Sequence, residues 1–276
     1  MRIPTACLLF SSFWAVNAYA DGITLGTAAD FAVLAGSAVT NTGSSVIEGN
    51  VGVSPGSAIT GFPPGSVIGT IYSTVFDNGA VESGAENDLT TAYNTAAGEP
   101  CTDNLSGQDL GGLTLTPGVY CYTSADPSAE LTGTLTLNAQ GNPNAVFIFQ
   151  IASTLTTASS SSVVFINGGT GDDNLFWQVG SSATLGTDTA FAGNILADTS
   201  ITLNIGVSIN CGSALASSGA VTLDDNAVTG CAASSSSIAP EPGSAVLLGL
   251  GLIFGLFLPV LPGCAGHDAI RLRYRG

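Results

Sequence analysis

The dipeptide Thr-Leu returns along the second half of this chain at Thr136-Leu137, Thr154-Leu155, Thr184-Leu185, Thr202-Leu203 and Thr222-Leu223, at intervals of 18, 30, 18 and 20 residues. A polar excursion from Asn167 to Asn174 falls inside the long interval and accounts for most of its surplus, leaving an underlying period of 18 to 20. A repeat of that length in small, β-branched and apolar residues is the signature of a chain wound into stacked coils. The runs 145–151, 162–166 and 175–179 have strand composition and lack the apolar stripe of a surface helix. At ~3.3 Å per residue, such a coil closes around a triangle of three short strands. Thr114-Leu115, 22 residues before Thr136-Leu137, begins the same stack. The expected fold is therefore mainly β, a triangular parallel β-solenoid of about six turns centred on Leu131 to Val228.

Charge then removes most chemistry. Lys is absent, every Arg lies at an extreme (Arg2, Arg271, Arg273, Arg275) and the only His is His267, while the net charge is −16. Between Asp21 and Pro240 no nucleophile has a His or Lys to activate it, and no His is available for a metal. Nucleic acid is excluded as a partner because nothing can neutralise its phosphates. Asp172, Asp173, Asp224 and Asp225 could support only carboxylate chemistry on polysaccharides, with no cation to hold an acidic sugar. No enzymatic activity, cofactor, metal or small-molecule substrate is expected; the loop Gly171 to Asn174 is the one stretch with calcium-like composition.

Residues 1–20 combine Arg2, an apolar stretch from Ala6 to Val16 and Ala18-Tyr19-Ala20, which predicts a secretory signal cleaved before Asp21. Residues 23–74, rich in Gly, Val, Ser and Pro, predict short strands and tight turns that form further coils or a cap. From Asp77 to Gly98, Val81, Ala85, Leu89, Ala92, Tyr93 and Ala96 fall at helical spacing, and Gly98 with Pro100 makes a stop. That apolar stripe needs a partner surface, and the side of the solenoid is the one large enough. Four cysteines lie in the domain, Cys101, Cys121, Cys211 and Cys231. Three connectivities exist, and the shared separation of 20 residues selects Cys101 with Cys121 and Cys211 with Cys231, because residues one coil apart lie ~4.8 Å from each other.

The domain of residues 21–233 ends in a Ser/Pro linker, 234–242, and a tail, 243–276. In the tail, Ala245 to Leu261 carries no charge and Arg271, Arg273 and Arg275 follow, as in a membrane span whose basic end stays inside. With Pro240-Glu241-Pro242 this arrangement resembles the PEP-CTERM sorting tail of Gram-negative exported proteins. The resemblance implies a membrane partner before processing, then an extracellular or cell-surface location.

A longer resemblance spans about Ile23 to Cys231. The segments 38–43 (AVTNTG), 52–56 (GVSPG), 59–65 (ITGFPPG), 88–94 (DLTTAYN), 113–120 (LTLTPGVY), 144–150 (NAVFIFQ) and 176–185 (FWQVGSSATL) resemble the microbial ice-binding family of antifreeze-like proteins. It implies a right-handed, discontinuous β-helix of triangular section with one long α-helix along its side. It also implies adsorption to the surface of an ice crystal through a flat face carrying Thr-(Ala/Gly)-x-(Thr/Asn) in successive coils. The positions matched to that pattern are 157–160, 187–190, 205–208 and 225–228, which give a face of Thr157, Ser159, Thr187, Thr189, Ile205 and Val207. Asp188 and Asp225 fall on or beside it. The alternative function is cell-surface or matrix adhesion by the same solenoid without ice affinity.

Overall fold

The computed structural model describes residues 22–74, 79–168 and 174–230. The leader, residues 171–173 of the acidic loop, Cys231, the linker and the tail lie outside them. Three all-parallel sheets of nine, seven and eight strands, here A, B and C, form the walls of one stack. Along sheet A the strands run Ile71–Ser73, Asn50–Val53, Phe31–Ala35, Ala214–Ala216, Asn194–Ala197, Leu175–Val179, Phe147–Ile151, Gly118–Tyr122 and Asp103–Asn104. Chain order is thus broken: Val33 pairs with Ala214 on one side and Val51 on the other. The stretch 23–74 supplies coils rather than a loose cap, and they stack on the last coil of the chain.

A discontinuous stack needs a return path, and a single helix, α1 (Ala80–Gly98, 19 residues), provides it. At ~1.5 Å per residue it covers ~28 Å, most of the ~38 Å between the outermost of nine strands. Chain leaving Ile71–Ser73 is carried to the opposite end, where Asp103–Asn104 starts six consecutive coils back toward Ala214–Ala216. Six is the number the repeat implied.

The Thr-Leu repeat does not follow one wall throughout. Leu137 lies on sheet C, paired with Phe165, whereas Leu155 lies on sheet B, paired with Ala183, so the interval between those two dipeptides joins different walls. Partners in the lower coils are 28 residues apart (Phe147 with Leu175, Thr134 with Ser162) and in the upper coils 18 to 20 (Phe176 with Asn194, Val51 with Ile71). The surplus sits in one corner, between sheets C and A: the excursion recognised at Asn167 to Asn174 has a counterpart between Asn138 and Phe147.

Inside, alternate residues of every wall point inward, and the widest part of the core is aromatic. Tyr120, Phe149 and Trp177 stand in register on neighbouring strands of sheet A. Their rings stack at 5.4 and 4.1 Å between centroids, with Phe191 of sheet C a further 4.9 Å away. The fully buried Trp177 indole donates its N–H to the Ala192 carbonyl at 3.0 Å and the Tyr120 hydroxyl donates to the Thr116 carbonyl, which satisfies both polar atoms in the stack.

The opposite face of sheet A meets α1: Ala85, Leu89, Ala92 and Ala96 pack on Leu34, Val119, Ile148, Phe176, Leu196 and Leu215. Two small corrections apply to the predicted stripe. Val81 is exposed and Glu82 occupies the buried position of that turn. The helix is fixed at its middle and at its C-terminal end. The Thr27 hydroxyl and backbone N–H donate to the Asp88 carboxylate at 2.6 and 2.7 Å and hold it below its ordinary range. The Gln150 amide donates to the Ala96 and Glu99 carbonyls, both at 2.7 Å, closing the C-terminal end.

Cys101 and Cys121 form a disulfide with a Cα separation of 6.0 Å. The pairing follows the sequence argument but the geometry does not, since Cys121 pairs in register with Asn104. Cys121 faces the helix side of sheet A, and Cys101 follows directly on the end of α1, so the bond staples the helix terminus to the first coils. Cys211 is also disulfide-bonded.

Glu86 gives the fold a pH signature. One of its carboxylate oxygens is buried without a hydrogen-bond partner, and burial pushes its pKa from 4.5 up to about 8. A folded-state pKa above the unfolded value means the native protein holds the extra proton between those limits. Stability from this group is therefore complete below about pH 4.5 and is lost as pH rises through about 8. The whole span is worth at most about 5 kcal/mol, less where solvent reaches the group. Glu86→Gln should flatten the fall in melting temperature across that window. A parallel decline in both proteins would show that another group is responsible.

Candidate functional site

Sheet B is the wall whose outer face carries a regular array. Its strands, in order, are Ala129–Leu131, Leu155–Thr157, Ala183–Leu185, Ile201–Leu203, Ala220–Asp224, Ala38–Thr42 and Ala58–Thr60. The register links Thr156 to Thr184, Thr184 to Thr202, Thr202 to Thr222, Thr222 to Thr40 and Thr40 to Thr60. Six threonines therefore stand in single file, and Glu130, paired with Thr156, ends the file. The cause is the period of two in a strand: Leu155, Ala183, Ile201, Val221 and Val39 point inward, so each following Thr points out. At ~4.8 Å per strand the file is ~24 Å long, and strands of three to five residues give the wall roughly 250 to 450 Å², which reaches the size of a functional surface patch.

The hydroxyls in this file are available. None of the six bonds another described residue, unlike the residues on either side. Two positions earlier, Thr154 donates to Ser128, the Ser182 hydroxyl accepts from the Ser200 N–H and the Ser200 hydroxyl from the Ala220 N–H, at 3.0 to 3.3 Å. Those side chains are spent on the corner between sheets A and B. The threonine file thus presents one methyl and one free hydroxyl per coil, on a plane with small flanking residues and, among the described residues, no cation. Such a plane can hold ordered water at a fixed spacing.

The residues selected from the sequence lie elsewhere. Of the matched segments 157–160, 187–190, 205–208 and 225–228, residues 158–160, 187–189, 205–207 and 225–226 form the corner between sheets B and C, Thr157 ends a strand of sheet B, and Ala190, Ser208, Ala227 and Val228 lie in strands of sheet C. Ser160, Asp188, Gly206 and Asp225 take φ of 59, 57, 75 and 50°, and each N–H bonds the next coil: Thr187, Ile205, Asp224 and Thr42 respectively. Left-handed backbone at this corner explains the Gly and Asp there, so Asp188 and Asp225 are turn residues.

Thr157, Thr189 and Val207 are buried, which corrects their assignment to a surface. The Thr157 and Thr189 hydroxyls bond each other at 2.8 Å, and Thr157 accepts from the Gly186 N–H at 2.8 Å, so both serve the inside of the turn. Ser159, Thr187 and Ile205 reach the surface along the edge, Ile205 being 48% exposed. The signal that marks the file was present in the sequence: 154–156 (TLT), 182–184 (SAT), 200–202 (SIT), 220–222 (AVT), 38–40 (AVT) and 58–60 (AIT) repeat small, apolar, Thr.

The Ice-binding-like family model matches residues 33–229. An ice-binding protein of Nostoc sp. (strain HG1) is 54% identical over 259 residues, covering 92% of this chain and 93% of the relative. Among solved structures, an ice-binding protein from an Antarctic biological consortium is 43% identical with a TM-score of 0.71, covering 83% of this chain and 96% of that one. One from the Antarctic ascomycete Antarctomyces psychrotrophicus is 41% identical with a TM-score of 0.70, covering 76% and 98%.

Proposed function

Because this chain belongs to the Ice-binding-like family, matched across residues 33–229, we propose that it adsorbs to ice through the outer face of sheet B and so inhibits ice growth or recrystallisation. The observation that carries this reading is the six-threonine file. Strand stacking sets its rise, ~4.8 Å, which is close to a repeat of the ice lattice. Each hydroxyl can anchor a water molecule while each methyl keeps the plane weakly hydrated, so surface water can adopt lattice-like positions before contact. Binding to a solid needs the whole plane at once, and three walls around a stacked aromatic core keep it rigid.

The test is direct. Fluorescently labelled protein should coat a growing ice hemisphere and show thermal hysteresis at micromolar concentration; protein that stays in the liquid would end the ice reading and leave surface adhesion.

The location proposed is outside the cytoplasm, extracellular or at the cell surface. It is supported by the secretory character of residues 1–20 and by the Cys101–Cys121 disulfide, a bond suited to an oxidising compartment. The mature chain should begin at Asp21, readable by N-terminal mass spectrometry of exported protein; an intact Met1 there would refute it.

A further inference from the structure

Beside the threonine file, two residues further along the chain, Asn204, Asp224 and Thr42 stand on the same outer face, continued by a buried Gly186 and by Ala158 in the corner. Thr42 pairs directly with Asp224, and the pairings of Leu185 with Leu203 and Thr202 with Thr222 place Gly186 beside Asn204 and Asn204 beside Asp224. Asp224 therefore sits inside the plane, flanked by Asn204 and Thr42, ~7 Å along the strand from Thr222.

Its backbone is committed, the N–H to the Asn226 side chain at 2.6 Å and the carbonyl to Gly206. Its carboxylate accepts no bond from a described residue, and no Lys, Arg or His occurs between Asp21 and Pro240 to pair with it. Of the corner aspartates, Asp225 accepts the Ser44 N–H at 2.5 Å, while Asp188, whose carboxylate likewise accepts no bond from a described residue, stands off the plane in the turn beside Gly206.

We infer that Asp224 limits the strength of the face, its unpaired carboxylate holding liquid-like hydration in the middle of a surface that works by lattice-like hydration. The inference rests on sheet B being the ice face. Water around a carboxylate orients every donor toward the charge, which is incompatible with a tetrahedral lattice that divides donors and acceptors equally. Dehydrating that charge on contact with ice is costly, because no protein group replaces the lost water. The column has the makings of a second file, since Asn204 and Thr42 already stand beside Thr202 and Thr40. Asp224→Asn removes the charge at constant shape, and Asp224→Thr also adds the methyl and hydroxyl that the neighbouring file uses.

Thermal hysteresis and ice coating would be measured at equal concentration for the parent, Asp224→Asn, Asp224→Thr and Asp188→Asn, with melting temperature recorded for each. Asp188→Asn makes the same change in net charge off the plane, in a turn conformation that Asn tolerates. The expected result is a rise of about two-fold or more for Asp224→Asn, a larger one for Asp224→Thr and none for Asp188→Asn. Equal rises for Asp188→Asn and Asp224→Asn would overturn the inference in favour of net charge. So would unchanged or reduced activity in both Asp224 variants while the parent coats ice. A parent that leaves ice uncoated removes the ice reading and this inference together, which separates the two failures.

Discussion

Thr202→Tyr should abolish ice coating and lower thermal hysteresis roughly ten-fold or more while the protein stays folded, because separation across a contact plane forfeits every short-range contact at once. Thr202 is third in a file of six, between Thr184 and Thr222. Its partly exposed side chain makes no hydrogen bond to another described residue, so the fold loses nothing when it is replaced. Tyr is well suited to a strand, and circular dichroism and melting temperature should remain near the parent's. A ring standing above the plane holds ice away from Thr156, Thr184, Thr222 and Thr40 as well. Ser159→Tyr supplies the contrast: the residue is exposed but lies at the corner between sheets B and C, so activity should survive there. Full ice coating by Thr202→Tyr would place the binding surface on another wall.

That contrast also shows what the sequence makes legible. Recurrence of Thr-Leu reports stacked coils because each coil must return a similar residue to the same wall, and α1 announces itself through Ala85, Leu89, Ala92 and Ala96. Which wall a residue joins is harder to read. Thr136-Leu137 and Thr154-Leu155 look equivalent in sequence, yet they occupy sheets C and B because the enlarged corner between Asn138 and Phe147 separates them. The same uncertainty of one or two residues moved the expected face from the strands to the corner, where an outward position becomes an inward one, as at Thr157 and Thr189. Burial alternates residue by residue in a strand, so a short slip changes every side chain's role. The discontinuity was still less visible: nothing local in Phe31–Ala35 indicates that its neighbour is Ala214–Ala216, since that pairing depends on how far α1 carries the chain. Asp188 and Asp225 illustrate the converse, residues that look like misplaced surface charge until their positive φ shows them to be turn formers.

Trp177→Ala is expected to be the most destabilising single change in the core, at about 4 to 5 kcal/mol. The side chain is fully buried, stacks on Phe149 at 4.1 Å with an interplanar angle of 10°, and contacts Phe191 at 4.9 Å. Truncation leaves a cavity between sheets A and C, removes both aromatic contacts and takes the indole N–H away from the Ala192 carbonyl. For a domain of this size, a loss of that magnitude lowers the melting temperature by roughly 10 to 20 °C. Close packing makes relaxation around the void difficult, because the strands on either side are fixed by their ladders: Phe147 to Leu175 below, Phe176 to Asn194 above. Thr184 and Thr202 belong to neighbouring coils on the opposite wall, and their spacing is set by strand pairing rather than by the indole. Near 0 °C, where the variant remains folded, ice coating should therefore persist although heat resistance is much reduced. Measuring melting temperature and ice coating on the same sample decides this. A melting temperature within a few degrees of the parent would show that the core collapses around the void, and lost coating in a folded variant would show that the aromatic stack controls the flatness of sheet B.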